Sequence, residues 1–244
     1  MSSRAVLRFY AELNDFLPPE KRQTAFSHNF FGRPSVKDMI ESLGVPHTEV
    51  DLILAGDQSV DFNYRVNDGD RISVFPMFEA IDISEVLKVR PEPLREPRFV
   101  LDTHLGKLAN YLRMLGFDTL YQNNYDDETL ARISAEQGRI LLTRDRGLLK
   151  RSLVTHGYLV RADDPYEQVK EVLQRFDLHD AFKPFRRCMR CNGELFETAF
   201  EEVKEQVPPR VRKFACEYKR CSECGQVYWK GSHYKAMKEF IGEL

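Results

Sequence analysis

The 244-residue sequence predicts a multidomain protein in which an α+β domain, a parallel-sheet α/β domain and a metal-binding segment follow one another. Three observations lead to this prediction. The chain exceeds the usual length of one domain, strand and helix patterns alternate from residue 98 onward, and all five cysteines lie in the last 57 residues. We place the domains at residues 1–80, 98–182 and 183–244, with a linker at 81–97.

Composition indicates a globular protein with nearly balanced charge. The chain has 36 basic and 38 acidic residues, for a formal charge of −2. The balance is uneven, since residues 183–244 contain 13 basic and 9 acidic side chains, a net +4, whereas residues 1–97 contain 11 and 16, a net −5. The first residues contain no apolar signal-peptide core, and no run is long enough for a membrane span. We therefore expect a soluble, cytoplasmic protein.

The N-terminal region has the element order of a β-grasp domain. Strand patterns occur in "AVLRFYAEL", "QTAFSHNFF", "DLILAG" and "DRISVFP". Between the second and third lies "RPSVKDMIESLGV", whose apolar residues recur at i, i+3, i+4 and i+7 from Val36. Ser35 as an N-cap and Gly44 as a stop complete the signature of one amphipathic helix.

This region resembles the ubiquitin-like sulfur carriers through its helix placement and its "VNDGDRISVFP" ending. Those carriers end in a free Gly-Gly, whereas this chain continues into "MFEAIDIS". A docking or positioning module that binds a protein partner is therefore the better interpretation. The next segment, "IDISEVLKVRPEPLREPR", contains three prolines among charged residues, a composition typical of an extended linker.

From residue 98 the pattern favours a parallel sheet with helices on both faces. Short apolar strands are predicted at "RFVLD", "DTLYQ", "RILLT" and "YLVRA". Helices are predicted at "HLGKLANYLRMLGF" and "DDETLARISAEQG", with a short helix after "RILLT" and a final helix at "DPYEQVKEVLQRF".

Carboxylates follow two of these strands. Asp102 ends "FVLD", Asp145 follows "ILLT", and Asp126 and Asp127 open a helix. Ligands of parallel sheets bind at the carboxyl ends of the strands, so these side chains are expected to converge and to bind Mg²⁺ or Mn²⁺. The alternatives stay open: helix caps for Asp102, Asp126 and Asp127, and a surface ion pair for Asp145.

Several separated motifs in the right order give a further resemblance. "FVLDTHLGKLANYLRMLGFDT", "DDETLARISAEQGRILLTRDRGLL", "FRRCMRCNGEL" and "CSECGQVYWKGSH" resemble the PIN-like ribonuclease domain, with a fused zinc ribbon, first noted at the C-terminus of the Mut-seven type exonuclease. Prokaryotic members of that family join the domain to a ubiquitin-like region. The resemblance implies an α/β PIN-like domain over residues 98–182, metal-dependent hydrolysis of RNA, and catalytic, Mg²⁺- or Mn²⁺-binding roles for Asp102, Asp127 and Asp145.

Basic and polar residues near these aspartates are candidates for binding the RNA backbone. They are Lys107, Arg113, Thr143, Arg144 and Arg146. His104 is a further candidate, and for all six an ordinary solvated or capping side chain is the alternative. PIN nucleases also use a fourth acid from a helical insertion, which is too short here to match; Asp118 and Glu136 are the nearest candidates.

Two Cys-x-x-Cys pairs predict a structural zinc site. Cys188 and Cys191 form the first pair, and Cys221 and Cys224 form the second. Four thiolates fill the tetrahedral coordination of Zn²⁺ and leave no position for catalysis. The alternatives are redox dithiols or a disulfide, and Cys216 is expected to be a bystander or a substitute ligand.

The cysteine pairs lie among basic and aromatic residues. "KPFRRCMR", "RVRK" and "YKR" supply cations, and Tyr228, Trp229 and Tyr234 supply rings. Such residues contact phosphates and stack on unpaired bases, although solvated charges and core aromatics would give the same pattern. The sequence thus predicts a metal-dependent ribonuclease, with a non-catalytic RNA-binding or ribosome-associated adaptor as the alternative.

Overall fold

The computed structural model describes residues 2–76, 89, 97–213 and 217–244. Cys216 and most of the predicted linker lie outside these residues. Two compact units make up the chain: the first contains Met1–Glu96 and Asp127–Leu159, and the second contains Pro97–Asp126 and Val160–Leu244. These units differ from the predicted domain boundaries, which stay a prediction.

The N-terminal region of the first unit is a five-stranded sheet with one helix. Its elements are β1 Ser3–Phe9, β2 Phe26–Phe30, α1 Val36–Ser42, β3 Leu52–Ala55, β4 Gln58–Ser59 and β5 Arg71–Phe75. The strand order is β2-β1-β5-β3-β4, with β1 parallel to β5 and the other pairs antiparallel. Alternate residues of β1, including Leu7 and Phe9, are buried, and Ile40 of α1 is buried as well.

Helix α1 begins and ends where the sequence signals lie. The Ser35 hydroxyl oxygen accepts a hydrogen bond from the Asp38 backbone N–H at 3.1 Å, which satisfies one of the unpaired N–H groups of the first turn. Gly44 after the helix has a φ of +100°, a conformation that side chains with a Cβ rarely adopt. The predicted cap and stop therefore both have a physical role.

Strands and helices alternate through residues 97–176. The elements are β6 Phe99–Leu101, α2 Gly106–Leu115, β7 Thr119–Leu120, α3 Asp127–Gln137, β8 Ile140–Thr143, α4 Arg146–Leu149, β9 Gly157–Leu159 and α5 Pro165–Arg175. In the second unit β6 pairs with β7 in parallel, and in the first unit β8 pairs with β9 in parallel. Short parallel strands with helical connections are the architecture that the sequence predicts.

Helix α2 ends at a glycine that the packing requires. Gly116 has a φ of +100°, and a Cβ there would lie 2.1 Å from the Lys183 carbonyl oxygen. The Lys183 N–H in turn donates to the Leu115 carbonyl at 2.9 Å. The chain entering the last region is therefore pressed against the end of α2, and only glycine fits between them.

The last region of the second unit is a small antiparallel sheet with helices. Its elements are β10 Leu195–Thr198, α6 Phe200–Val203, β11 Tyr218–Cys221, β12 Val227–Trp229 and α7 Ser232–Gly242. The strands lie in the order β10-β11-β12. A small core of Val203, Val207, Tyr218 and Val227 lies beneath them. Helix α7 contacts α2 through Phe240, whose ring stacks on Tyr111 with centroids 4.7 Å apart.

Candidate functional site

Asp102 directly follows β6 and is 8% exposed. Its Oδ1 accepts a hydrogen bond from the Thr103 N–H at 2.6 Å, so that the side chain caps a 3-10 turn, Thr103–Leu105. The Tyr121 hydroxyl donates to the Thr103 carbonyl at 2.9 Å. This ring leaves no room for a side chain at Gly106, where a Cβ would lie 2.6 Å from the hydroxyl oxygen. The turn that presents Asp102 is thus held tightly within the second unit.

Asp145 lies two residues after the end of β8, and unlike Asp102 it is exposed. Its Oδ1 accepts a hydrogen bond from the Gly147 N–H at 2.7 Å and caps α4. Its own N–H donates to the Thr143 hydroxyl at 2.9 Å. Thr143 is fully buried, so it positions the Asp145 turn from the end of the strand.

Asp127 is the first residue of α3 and is also exposed. Its Oδ2 lies 3.7 Å from the Arg151 guanidinium, with the two side chains 50% and 45% exposed. A solvent-exposed pair of this kind contributes little stability. No local sequence signal identifies Arg151 as a neighbour of Asp127.

All three predicted aspartates therefore lie at the N-terminal end of a helix or helical turn, where a negative charge is favoured. Asp102 belongs to the second unit, whereas Asp127 and Asp145 belong to the first. Their convergence on one metal site stays a prediction.

The predicted backbone-binding residues fall into different environments. Lys107 and Arg144 are exposed, as is His104. Arg146 is exposed and its guanidinium lies over the Phe16 ring, 5.2 Å from the centroid, where a cation–π contact holds it. These exposed side chains can contact a nucleic acid.

Arg113 is different, because it is 3% exposed. Its Nε donates to the Thr119 carbonyl at 2.9 Å, and its Nη1 donates to the carbonyls of Met189 and Arg190 at 3.0 and 3.2 Å. Burial lowers the pKa of Arg113, and the nearby Cys188 and Cys191 oppose that shift. A guanidinium committed to backbone carbonyls cannot bind phosphate, so the structure gives Arg113 a structural role in place of the predicted one.

The four paired cysteines come together within the second unit. Their sulfur atoms all lie within 4.8 Å of one another. The Sγ atoms of Cys188 and Cys224 are 3.7 Å apart, and those of Cys191 and Cys221 are 3.4 Å apart. Sulfurs at the corners of a tetrahedron with Zn–S bonds of about 2.3 Å are separated by about 3.8 Å. The cluster can therefore hold a zinc ion.

The cysteine thiols differ in pKa, and therefore in how readily they form the thiolates that bind a metal ion. Burial opposes ionisation of Cys188, but hydrogen bonds from the Tyr228 hydroxyl, at 3.1 Å, and from backbone N–H groups lower its pKa to about 7. Burial and the neighbouring thiols raise the pKa of Cys191 to about 12. Burial and Cys188 also raise the pKa of Tyr228, which stays a hydrogen-bond donor. Tyr228 was predicted as a base-stacking residue, and the structure adds this contact to the metal centre.

The first cysteine pair is fastened to the edge of β7. Asn192 accepts from the Thr119 N–H through Oδ1 at 2.8 Å and donates from Nδ2 to Asp118 Oδ1 at 2.7 Å. Arg187 lies 3.9 Å from Asp118 Oδ2. Asp118, a candidate for the fourth acid, is thus engaged in this contact, whereas Glu136 is an exposed residue of α3.

The ubiquitin-like region contacts the segment after Asp145, and both parts belong to the first unit. Glu49 is fully buried, and its Oε1 accepts from the Leu159 N–H of β9 at 2.6 Å. The buried His47 ring lies between Glu41, at 2.6 Å, and the Val154 carbonyl, at 2.8 Å. The Lys150 ammonium donates to the Glu41 carbonyl at 2.9 Å.

Parallel strand pairs, aspartates after two of the strands and a four-cysteine cluster define an α/β protein with a candidate metal centre. Residues 97–241 match the family model described as the Mut7-C RNAse domain, and residues 2–82 match the model described as Mut7-C ubiquitin. Since the first match covers more than half of the chain, the protein belongs to the Mut7-C RNAse domain family and carries the associated ubiquitin-like domain.

A human relative is described as "Exonuclease mut-7 homolog". The two sequences are 31% identical over 121 residues, which is 47% of this chain but 14% of the human protein. No solved structure matches. The predicted family and fold class are confirmed. Among the described residues, the helices are all too short or too polar to span a bilayer.

Proposed function

We propose that the protein is a metal-dependent ribonuclease in which Asp102, Asp127 and Asp145 hold Mg²⁺ or Mn²⁺. The match to the Mut7-C RNAse domain carries the proposal. Two further observations support it: Asp102 and Asp145 lie one and two residues beyond the end of a strand of a parallel pair, and carboxylate oxygens are the ligands that these cations prefer.

Separate groups of residues would bind the metal ion, contact the RNA and stabilise the fold. The turns at Asp102 and Asp145 hold the two carboxylates in fixed positions through backbone hydrogen bonds. Lys107 and Arg144 contact the RNA backbone and neutralise phosphate charge. A bound Mg²⁺ or Mn²⁺ would lower the pKa of a water molecule and offset the charge that develops on the phosphate. The four-cysteine cluster would hold zinc in a structural role.

The test is cleavage of labelled single-stranded and structured RNAs by the full chain with Mn²⁺ or Mg²⁺. Variants Asp102→Asn, Asp127→Asn and Asp145→Asn remove one charge each, and asparagine can still cap a helix. Each is expected to lower the rate about 100-fold or more, because charge stabilisation by a metal ion contributes several kcal/mol. Asp57→Asn removes one charge from an exposed aspartate in the turn between β3 and β4, and it is the matched control. Activity that survives in all three variants would refute the assignment.

A non-catalytic RNA-binding adaptor is the second candidate. One observation favours it, because Asp102 and Asp145 each already use an oxygen atom to cap a helical turn. The adaptor predicts RNA binding that is equal in the wild type and in Asp145→Asn, with no cleavage in either. The same assay therefore separates the two functions.

A further inference from the structure

A cavity of about 560 Å³ lies in the zinc-binding region of the second unit. We call it the ribbon cavity; it is lined by residues of β10, β11, β12 and α7 and by the chain on either side of Cys188. Its volume is in the range of small-ligand sites, about 300–1,000 Å³. It is separate from the predicted carboxylates, none of which line it.

Aromatic rings form much of the lining. Phe185, Tyr228, Trp229 and Tyr234 all border the cavity, and all four are half-buried, so part of each ring is open to solvent. The Phe185 and Tyr234 rings lie with centroids 4.7 Å apart and planes tilted by 40°. Half-exposed rings of this kind provide a surface on which a planar, unpaired base can stack.

Cations lie among these rings. Lys219 donates to the Phe185 carbonyl at 3.2 Å, and Lys230, which pairs with Glu217, lies 5.8 Å from the centroid of the Tyr234 ring. Arg187 also lines the cavity; its Nη1 donates to the Asn192 carbonyl at 3.3 Å, and its Nη2 lies 3.9 Å from carboxylate oxygens of Asp118 and Glu194.

The charge of the region favours an anionic chain. Three cations and two carboxylates, Glu197 and Glu217, line the cavity, and residues 183–244 have a net charge of +4. An RNA strand offers both groups that this lining can bind, because its bases stack on rings and its phosphates pair with cations. Bases in a duplex are already stacked and paired, so the strand must be single.

We propose that the ribbon cavity binds one unpaired base of single-stranded RNA, with a neighbouring phosphate near Lys219 and Lys230. This inference takes one point from the proposed function, namely that the protein acts on RNA. It adds a base-binding site at a position distinct from the cleavage residues.

Trp229 provides the test, because it is the one tryptophan of the chain. The zinc-loaded full chain, with Asp145→Asn to prevent cleavage, is titrated with a short oligouridylate while tryptophan fluorescence is recorded. An abasic ribose-phosphate oligomer of equal length is the reference ligand. We expect saturable quenching by the oligouridylate and at least about fivefold weaker binding of the abasic oligomer, as the loss of base stacking predicts.

Three further variants identify the ring. Tyr234→Leu is expected to weaken oligouridylate binding about fivefold or more, and Tyr234→Phe, which keeps the ring, should bind as the parent does. Tyr166→Leu removes a ring that packs against α7 through Phe240 but lies outside the cavity, and it should leave binding unchanged. Zinc content and thermal unfolding show that each variant is folded.

Equal affinity for the two oligomers, or unchanged binding by Tyr234→Leu, would overturn the proposal. Neither result bears on cleavage by the wild-type protein with Mn²⁺, so the base site and the ribonuclease function fail separately.

Discussion

The turns that present Asp102 and Asp145 are supported in different ways. Within the second unit, α2 follows the Asp102 turn and is tied to the first cysteine pair by the Arg113 guanidinium. Within the first unit, α4 follows Asp145, and the residues just beyond it are tied to the ubiquitin-like region by Lys150, His47 and Glu49.

The two supports differ in whether they require a bound metal ion. Four clustered thiolates repel one another unless a cation binds, so a zinc ion held by the four cysteines would strengthen the support of α2. The support of α4 and β9 depends on a buried carboxylate, a buried imidazole and a lysine, and needs no metal. Conditions that remove zinc should therefore loosen the Asp102 side and leave the Asp145 side intact.

Removal of zinc should have the largest effect. Cys191→Ser and Cys221→Ser are expected to lose the bound ion, since structural zinc contributes on the order of 10 kcal/mol of binding free energy. Metal analysis and thermal unfolding measure the loss, and hydrogen exchange should accelerate in α2 but not in β9. Ser222→Ala is the control next to a ligand. If wild-type protein contained no zinc, or if the cysteine variants unfolded at the wild-type temperature, the prediction of a structural zinc site would be wrong.

Replacement of Arg113 should have the next largest effect. Arg113→Met leaves the carbonyls of Thr119, Met189 and Arg190 without their donor and should lower the free energy of unfolding by about 3 kcal/mol. Lys107→Met, on the exposed side of the same helix, should change stability by less than about 0.5 kcal/mol but reduce the salt dependence of RNA binding. If Arg113→Met instead bound RNA weakly and kept full stability, Arg113 would contact the RNA backbone as the sequence predicted.

Glu49→Ala tests the other support. The Leu159 N–H would lose its acceptor in a buried site, and the free energy of unfolding should fall by about 2 kcal/mol. Urea unfolding measures the change, with Glu20→Ala as an exposed control. Hydrogen exchange should accelerate at residues 157–159 and remain slow in α2. Unchanged exchange in β9 would show that the buried carboxylate does not hold this strand.

The smallest effect separates the cap of α4 from the charge. Asp145→Ala loses the hydrogen bond to Gly147 and should cost about 1 kcal/mol, whereas Asp145→Asn should cost a few tenths. Chemical unfolding measures both, and both should lack Mn²⁺-dependent cleavage. Equal stability of the two variants would mean that the observed cap contributes nothing.

Much of the fold could be predicted because its signals are local. Ser35 and Gly44 mark the ends of α1, Gly116 marks the end of α2, and the two Cys-x-x-Cys pairs identify the metal ligands before any contact is known. The predicted strand at "AVLRFYAEL" is longer than β1, which ends at Phe9 and is followed by a 3-10 turn, Ala11–Phe16. Local apolar pattern alone does not show where strand pairing stops.

Roles that depend on distant partners could not be predicted. Arg113 has the sequence context of an exposed helix cation, and only the arrival of residues 189 and 190 against α2 buries it. Glu49 and His47 are not among the residues that the sequence analysis identified, and each has a partner more than 100 positions away.

The sequence by itself determined the type and order of the elements, the pairing of cysteines that suits zinc and the placement of an aspartate after each of two strands. These features follow from periodicity, capping and ligand spacing, which act over a few residues. The tertiary structure decided which polar side chains are buried and what they contact, because burial and hydrogen bonding are set by parts of the chain that are far apart in sequence. For that reason Arg113 supports the fold, while Lys107, six positions earlier on the same helix, stays in solvent.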